Sequence, residues 1–151
     1  MKKIRFLFYR ILAVVFLLFV AIFLLFYEPD GRTDNTVVII GKSDKFSEAE
    51  IQAAIPFVKE KFKGFTGCNL TKLWYDEEVS NRITNSYMHG GKGMRNGVKA
   101  ENVLVLMSSF EVGPSGGDGT LNPNSTYSGW NWTLIRDSKT SNWRLDDWGY
   151  E

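Results

Sequence analysis

The chain has 151 residues with 18 Lys and Arg, 17 Asp and Glu, one His and one Cys, for a formal net charge of +1. The charge is uneven: Lys2, Lys3, Arg5 and Arg10 precede every acidic residue, and from residue 28 onward 14 basic side chains face 17 acidic ones, a net of −3. A mildly acidic domain with no basic stripe argues against nucleic acid as a partner, and a lone Cys68 excludes an internal disulfide framework.

Residues 11–27, ILAVVFLLFVAIFLLFY, hold no charge, and FLFY at 6–9 lengthens the apolar run if Arg10 snorkels. As a helix, such a run of 22 residues would reach about 33 Å, the thickness of a bilayer's hydrocarbon layer. No small residues suited to signal cleavage precede Glu28, and no lipobox cysteine follows. The expectation is a cytoplasmic tail at 1–10 and an uncleaved transmembrane signal anchor at 11–27. The four early cations orient it as a single-pass protein of the cell membrane with the rest of the chain extracytoplasmic. The polar EPDGRTDN, 28–35, reads as a tether, and 36–151 as one domain long enough to bury its own core.

Within that domain TVVII, 36–40, is β-branched and suits a strand. SEAEIQAAIPFVKEKF opens with a capping box, Ser47 with Glu50, and then places Ile51, Ile55, Val58 and Phe62 at helical spacing, with Pro56 as an interruption. CNLTKLWYDEE, 68–78, alternates Leu70, Lys72 and Trp74 against Thr71, Leu73 and Tyr75, as a strand would. A short helix at 77–88 leads into a glycine-rich stretch to which the pattern assigns no structure. NVLVLMSSFEV, 102–112, has the unbroken apolar centre of a strand buried on both faces. In WNWTLIRD, 130–137, Trp130, Trp132, Leu134 and Arg136 share one face, and WRLDDW, 143–148, returns beside it as a hairpin. The pattern predicts an α+β domain, one helix laid on an antiparallel sheet.

SGGDGTLNPNSTYSGWNW, 115–132, is the most unusual stretch. Asp118, Asn122 and Asn124 offer oxygen ligands at relative positions 1, 5 and 7, but Thr120 and Gly129 stand where a calcium loop of the EF-hand type needs its third ligand and its bidentate Glu. The same residues suit a purely structural turn, with glycines at φ > 0, Asx-turns at Asn122 and Asn124, and one φ set by Pro123. A third reading is a surface where a partner docks.

Asp137, Asp146 and Asp147 are candidates for a general base if one is driven against Trp132 or Trp143, and for ordinary salt bridges with Arg136 and Arg144 if not. Cys68 reads as a small core residue rather than a thiolate activated by His89. Of the many aromatic residues, most suit the core; Tyr127, Trp130, Trp148 and Tyr150, if exposed together, form a platform for sugars or protein.

SSFEV, SGGDGTLNPNSTYSGWNWTLIRD and WRLDDWGY, in that order, resemble a family of uncharacterised extracytoplasmic domains, lipoproteins or anchored proteins of Gram-positive bacteria. The order of elements is also similar to cystatin-like folds of the nuclear transport factor 2 superfamily, and this likeness implies a conical cavity between helix and sheet. No nucleophile–base–orienter set, metal cluster or phosphate loop is evident, and no cofactor is expected. The functional expectation is a membrane-anchored extracytoplasmic binding domain without catalytic activity, with a protein or cell-envelope partner held at Asp118, Asn122, Asn124, Tyr127, Trp130, Trp148 and Tyr150. An immunity, inhibitor or envelope-complex accessory protein would fit. The alternative is a small-ligand pocket or enzyme of the cystatin-like cone type.

Overall fold

The computed structural model describes the backbone of residues 2–27, 29–117 and 119–150, and the side chains from residue 8 onward other than those of 24–26 within that range. Helix α1 spans Lys2–Phe26. Strand β1 (Val37–Ile40) leads into α2 (Glu48–Phe62) and β2 (Cys68–Tyr75). Helix α3 (Glu77–Gly90) and the single turn α4 (Gly93–Asn96) precede β3 (Val103–Val112), β4 (Thr126–Ile135) and β5 (Arg144–Gly149).

The five strands form one sheet in chain order. β1 runs parallel to β2, and every later neighbour is antiparallel. The parallel pair needs a crossover of a dozen residues or more, which α2 supplies. Its start is the expected capping box: Ser47 accepts from the Glu50 N–H, and the Glu50 carboxylate accepts from the Ser47 N–H. Ile51, Ala54, Val58 and Phe62 then face the sheet and bury against Leu104, Leu106, Phe110, Trp132 and Leu134.

β3 is the centre of the molecule. Its even-numbered residues meet α2, while Val103, Val105 and Met107 point to the other face and meet Ile83 and Tyr87 of α3. Helix α3 is capped by Asp76, whose side chain accepts from the Val79 N–H at 2.9 Å.

Three bulges set which residues share a face. In β2 the register skips Thr71, so Leu70 lies on the α2 face together with Leu73 and Tyr75, although simple alternation would separate them. In β4 the extra residue is Gly129, at φ 78°, and in β5 it is Asp146. Such bulges bend a strand and redirect the side chain they carry.

Several expectations are corrected here. The fold class is α+β, but it is not a transmembrane helix followed by one helix on an antiparallel sheet of cystatin-like or nuclear transport factor 2-like form. The sheet is mixed and carries helices on both faces, because both faces of β3 are apolar. Among the described residues no helix is long and apolar enough to cross a membrane. Within residues 28–35, the N–H groups of Gly31 and Arg32 donate to the carbonyls of Lys63 and Cys68 at 2.9 Å each, and Leu70 N–H donates to the Arg32 carbonyl at 2.8 Å.

Candidate functional site

The β3–β4 connection is an ordered stack of turns. Gly116, Gly117, Gly119 and Asn124 hold positive φ, at 76°, 68°, 87° and 53°. The N–H groups of Gly116 and Asn124 both donate to the Gly113 carbonyl, and that of Leu121 to the Gly116 carbonyl. Asn122 N–H donates to the Tyr127 hydroxyl at 3.1 Å, which fastens the loop to the start of β4. Asn122 and Asn124 therefore shape the turn. Asp118 lies outside the described residues, and among those described no group of three or more His, Cys, Asp or Glu could hold a metal ion.

This loop borders a cleft of about 230 Å³. Lys61 and Gly64 to Thr66 form one wall, Gly117, Thr120 and Leu121 a second, and Trp130 and Trp148 the floor and rim. Behind it the rings are continuous. Phe110 stacks on Tyr127 at 5.1 Å, Trp130 meets Phe65 edge-on at 6.0 Å, and Tyr150 stands 5.2 Å from Trp130 and 6.0 Å from Tyr127. The Gly129 bulge brings Tyr127 and Trp130 to the same face, three residues apart in a strand.

Three of the four sequence-selected rings thus contact each other, and Trp148 joins Trp130 at the cleft. Tyr127 and Trp130 are half-buried, whereas Trp148 and Tyr150 are 41% and 54% exposed. Lys61 holds its ammonium 4.0 Å from the Trp148 ring centre, a cation–π contact. The Trp130 Nε1–H is buried and has no hydrogen-bond partner among the described residues. An orphaned buried donor at a cleft is a group an incoming acceptor would satisfy. The sequence reading omitted Lys61, Phe65 and Thr66; the signal for them is the turn KGFTG at 63–67, which closes α2 beside the loop.

Around Trp132 and Trp143 the space between α2 and the sheet is filled. Trp132 is 0% exposed and donates to Ser108 Oγ at 2.8 Å; Trp143 donates to the Glu50 carbonyl at 2.9 Å. The aspartates proposed beside these rings lie elsewhere. Asp137 pairs with Arg144 at 2.7 Å, Asp147 with Lys92 at 2.9 Å, and Asp146 accepts from the Tyr87 hydroxyl at 2.7 Å. The bulge at Asp146 turns its carboxylate toward α3, where burial and this carboxylate together push the Tyr87 phenol well above its ordinary pKa. Cys68 is a buried core residue on the α2 face, while His89, on α3, has its Nδ1 at 2.8 Å from the Asn85 carbonyl oxygen.

No curated protein and no solved structure matches the chain. A family model described as a domain of unknown function, DUF4829, matches residues 53–149, from within α2 to the end of β5, and the chain belongs to that uncharacterised family.

Proposed function

We propose that the α+β domain is a non-enzymatic binding module that holds a protein or cell-envelope partner on the face made by the β3–β4 loop, Trp130, Trp148 and Tyr150. The observation that carries this reading is Trp130, which lines the cleft with the exposed Trp148 and whose buried indole N–H has no hydrogen-bond partner among the described residues. Tryptophan and tyrosine dominate interface hot spots because they bring large rigid area with one polar handle. At about 230 Å³ the cleft falls below the roughly 300–1,000 Å³ of pockets that enclose a whole small ligand. It suits one side chain or one sugar ring of a larger partner.

The filled space around Trp132 and Trp143 supports this reading over a cone-type pocket or enzyme. Work outside the cytoplasm and kinship with Gram-positive lipoprotein-like proteins belong to the same proposal, supported by the sequence resemblance alone. An immunity, inhibitor or envelope-complex accessory role fits such a module. The test is crosslinking on intact cells with wild type, Trp148→Ala and a control at the exposed Glu78, Glu78→Ala. Loss of the captured partner in Trp148→Ala only is expected; identical capture by all three refutes the proposal.

A further inference from the structure

Five cations that the sequence scatters over separate segments, Lys45, Lys99, Arg136, Lys139 and Arg144, line one cleft of about 470 Å³ where β4 ends and β5 begins. Among the described lining residues the carboxylates are Glu101 and Asp137, and Asp137 is already held by Arg144. The domain around this cleft carries a net charge of −3 from residue 28 onward. Gathering its cations in one concave place raises their mutual repulsion, and a bound anion relieves it.

Arg136 is the fixed member of the set. It is 4% exposed, with its guanidinium 4.4 Å from the Trp143 ring centre and 5.7 Å from that of Phe46. Its Nε donates to Asn102 Oδ1 at 3.4 Å and one terminal nitrogen to the Lys139 carbonyl at 3.3 Å. The other terminal nitrogen stands 2.8 Å from Glu50 Oε1, a charge contact without an aligned hydrogen bond. A guanidinium has five N–H donors, so donors remain for an incoming oxyanion. The group is already desolvated and oriented, and its planar fork matches phosphate.

Lys45 also lines the cleft, half-buried, with its ammonium 3.3 Å from the Val103 carbonyl oxygen. Burial lowers its pKa, against the opposing charge of Glu77, and an anion in the cleft would restore it. Lys99 and Lys139 are exposed and form no ion pair among the described residues. Asn96, Asn102 and Ser138 add neutral donors.

We propose that this cleft binds a phosphate group, presented either by a small phosphomonoester or by the phosphodiester of a larger envelope molecule. Arg136 and Lys45 form its inner contacts, and Lys99 and Lys139 its outer ones. The site is separate from the aromatic face, because the six-residue step along the extended chain from Trp130 to Arg136 spans about 20 Å.

The test is a titration of the full chain, kept in solution with a neutral detergent, at constant ionic strength. The probes are inorganic phosphate, glycerol 3-phosphate and glycerophosphoglycerol, and the readout is the backbone amide shifts of Gly97, Val98, Ser138 and Lys139. Saturable shifts with at least one probe are expected. The double variant Lys99→Glu/Lys139→Glu, changed at two exposed positions, should bind at least tenfold more weakly with its melting temperature unchanged. A stronger response to inorganic phosphate or glycerol 3-phosphate assigns the site to a small phosphate; a stronger response to the diester assigns it to the larger molecule. Shifts that sodium chloride reproduces, no saturable shift with any probe, or equal binding by the double variant overturns the proposal.

Discussion

Arg136 and Glu50 join the last hairpin to the first turn of α2 across 2.8 Å, with the arginine 5% and the glutamate 21% exposed at their side chains. The same carboxylate closes the capping box with Ser47, so helix start and hairpin share one anion. Removing one partner of a largely buried pair leaves the other charge uncompensated. Arg136→Ala should cost about 3 kcal/mol in urea unfolding, since it also removes the stacking on Trp143. Arg136→Met retains the packing and should cost less. Combined with Glu50→Gln, it should cost less than the sum of the two single changes, by about 0.5 kcal/mol or more.

The pH dependence follows from the same carboxylate. The Ser47 backbone N–H, with the Ser47 hydroxyl and Arg136 contributing and burial opposing, lowers Glu50 from 4.5 to about 2. A depressed folded-state pKa gives stability that is present above the unfolded value and lost as pH falls through the folded one. Wild type should therefore lose an increment on the order of 1 kcal/mol, after allowance for solvent screening, between pH 4.5 and pH 2. Glu50→Gln should lack that increment. Parallel urea denaturation of the two proteins at pH 7, 4.5, 3 and 2 checks it: the gap between them should close only over the acid range.

Two glycines separate steric from conformational cost. At Gly31 an added Cβ would lie 2.1 Å from the Phe62 carbonyl oxygen, in the segment that docks on the end of α2. At Gly129 it would meet nothing within 4 Å, and only the φ of 78° resists it. Gly129→Ala should cost about 1–2 kcal/mol, the penalty of a left-handed L-residue. Gly31→Ala should cost more than that and expose the 29–33 segment to proteolysis, which limited digestion would read.

How far the fold was legible depended on how each segment announces itself. The Ser47–Glu50 box, the apolar centre of β3 and the aromatic hairpin carry local signals, and each forms the element its pattern predicts. The packing of α3 was hidden because its sheet-facing positions are Ser80, Ile83, Thr84 and Tyr87. The spacing is helical, but half of the contact residues are polar, and Ser80 Oγ serves as acceptor for the Val105 N–H instead of adding apolar area. The parallel partner of β1 and the bulge at Thr71 depend on pairing, which a single strand's pattern does not contain.

At the candidate site the pattern was legible in its aromatic part and silent about its walls. Tyr127, Trp130 and Tyr150 meet because the Gly129 bulge resets the alternation of β4. Lys61 arrives from the far end of another element, and the five cations of the second cleft come from segments as distant as residues 45 and 144. No stripe in the sequence marks such a grouping, because the tertiary fold assembles it.

The aromatic face is the central claim, and affinity for its partner tests it most directly. The protein or envelope fragment captured by crosslinking is purified and titrated against the full chain and against Trp148→Ala/Tyr150→Ala, two exposed rings whose removal leaves the core intact. Truncating two hot-spot aromatics should weaken binding by a factor on the order of thirty, with the melting temperature nearly unchanged. Undiminished affinity in the double variant would contradict the account.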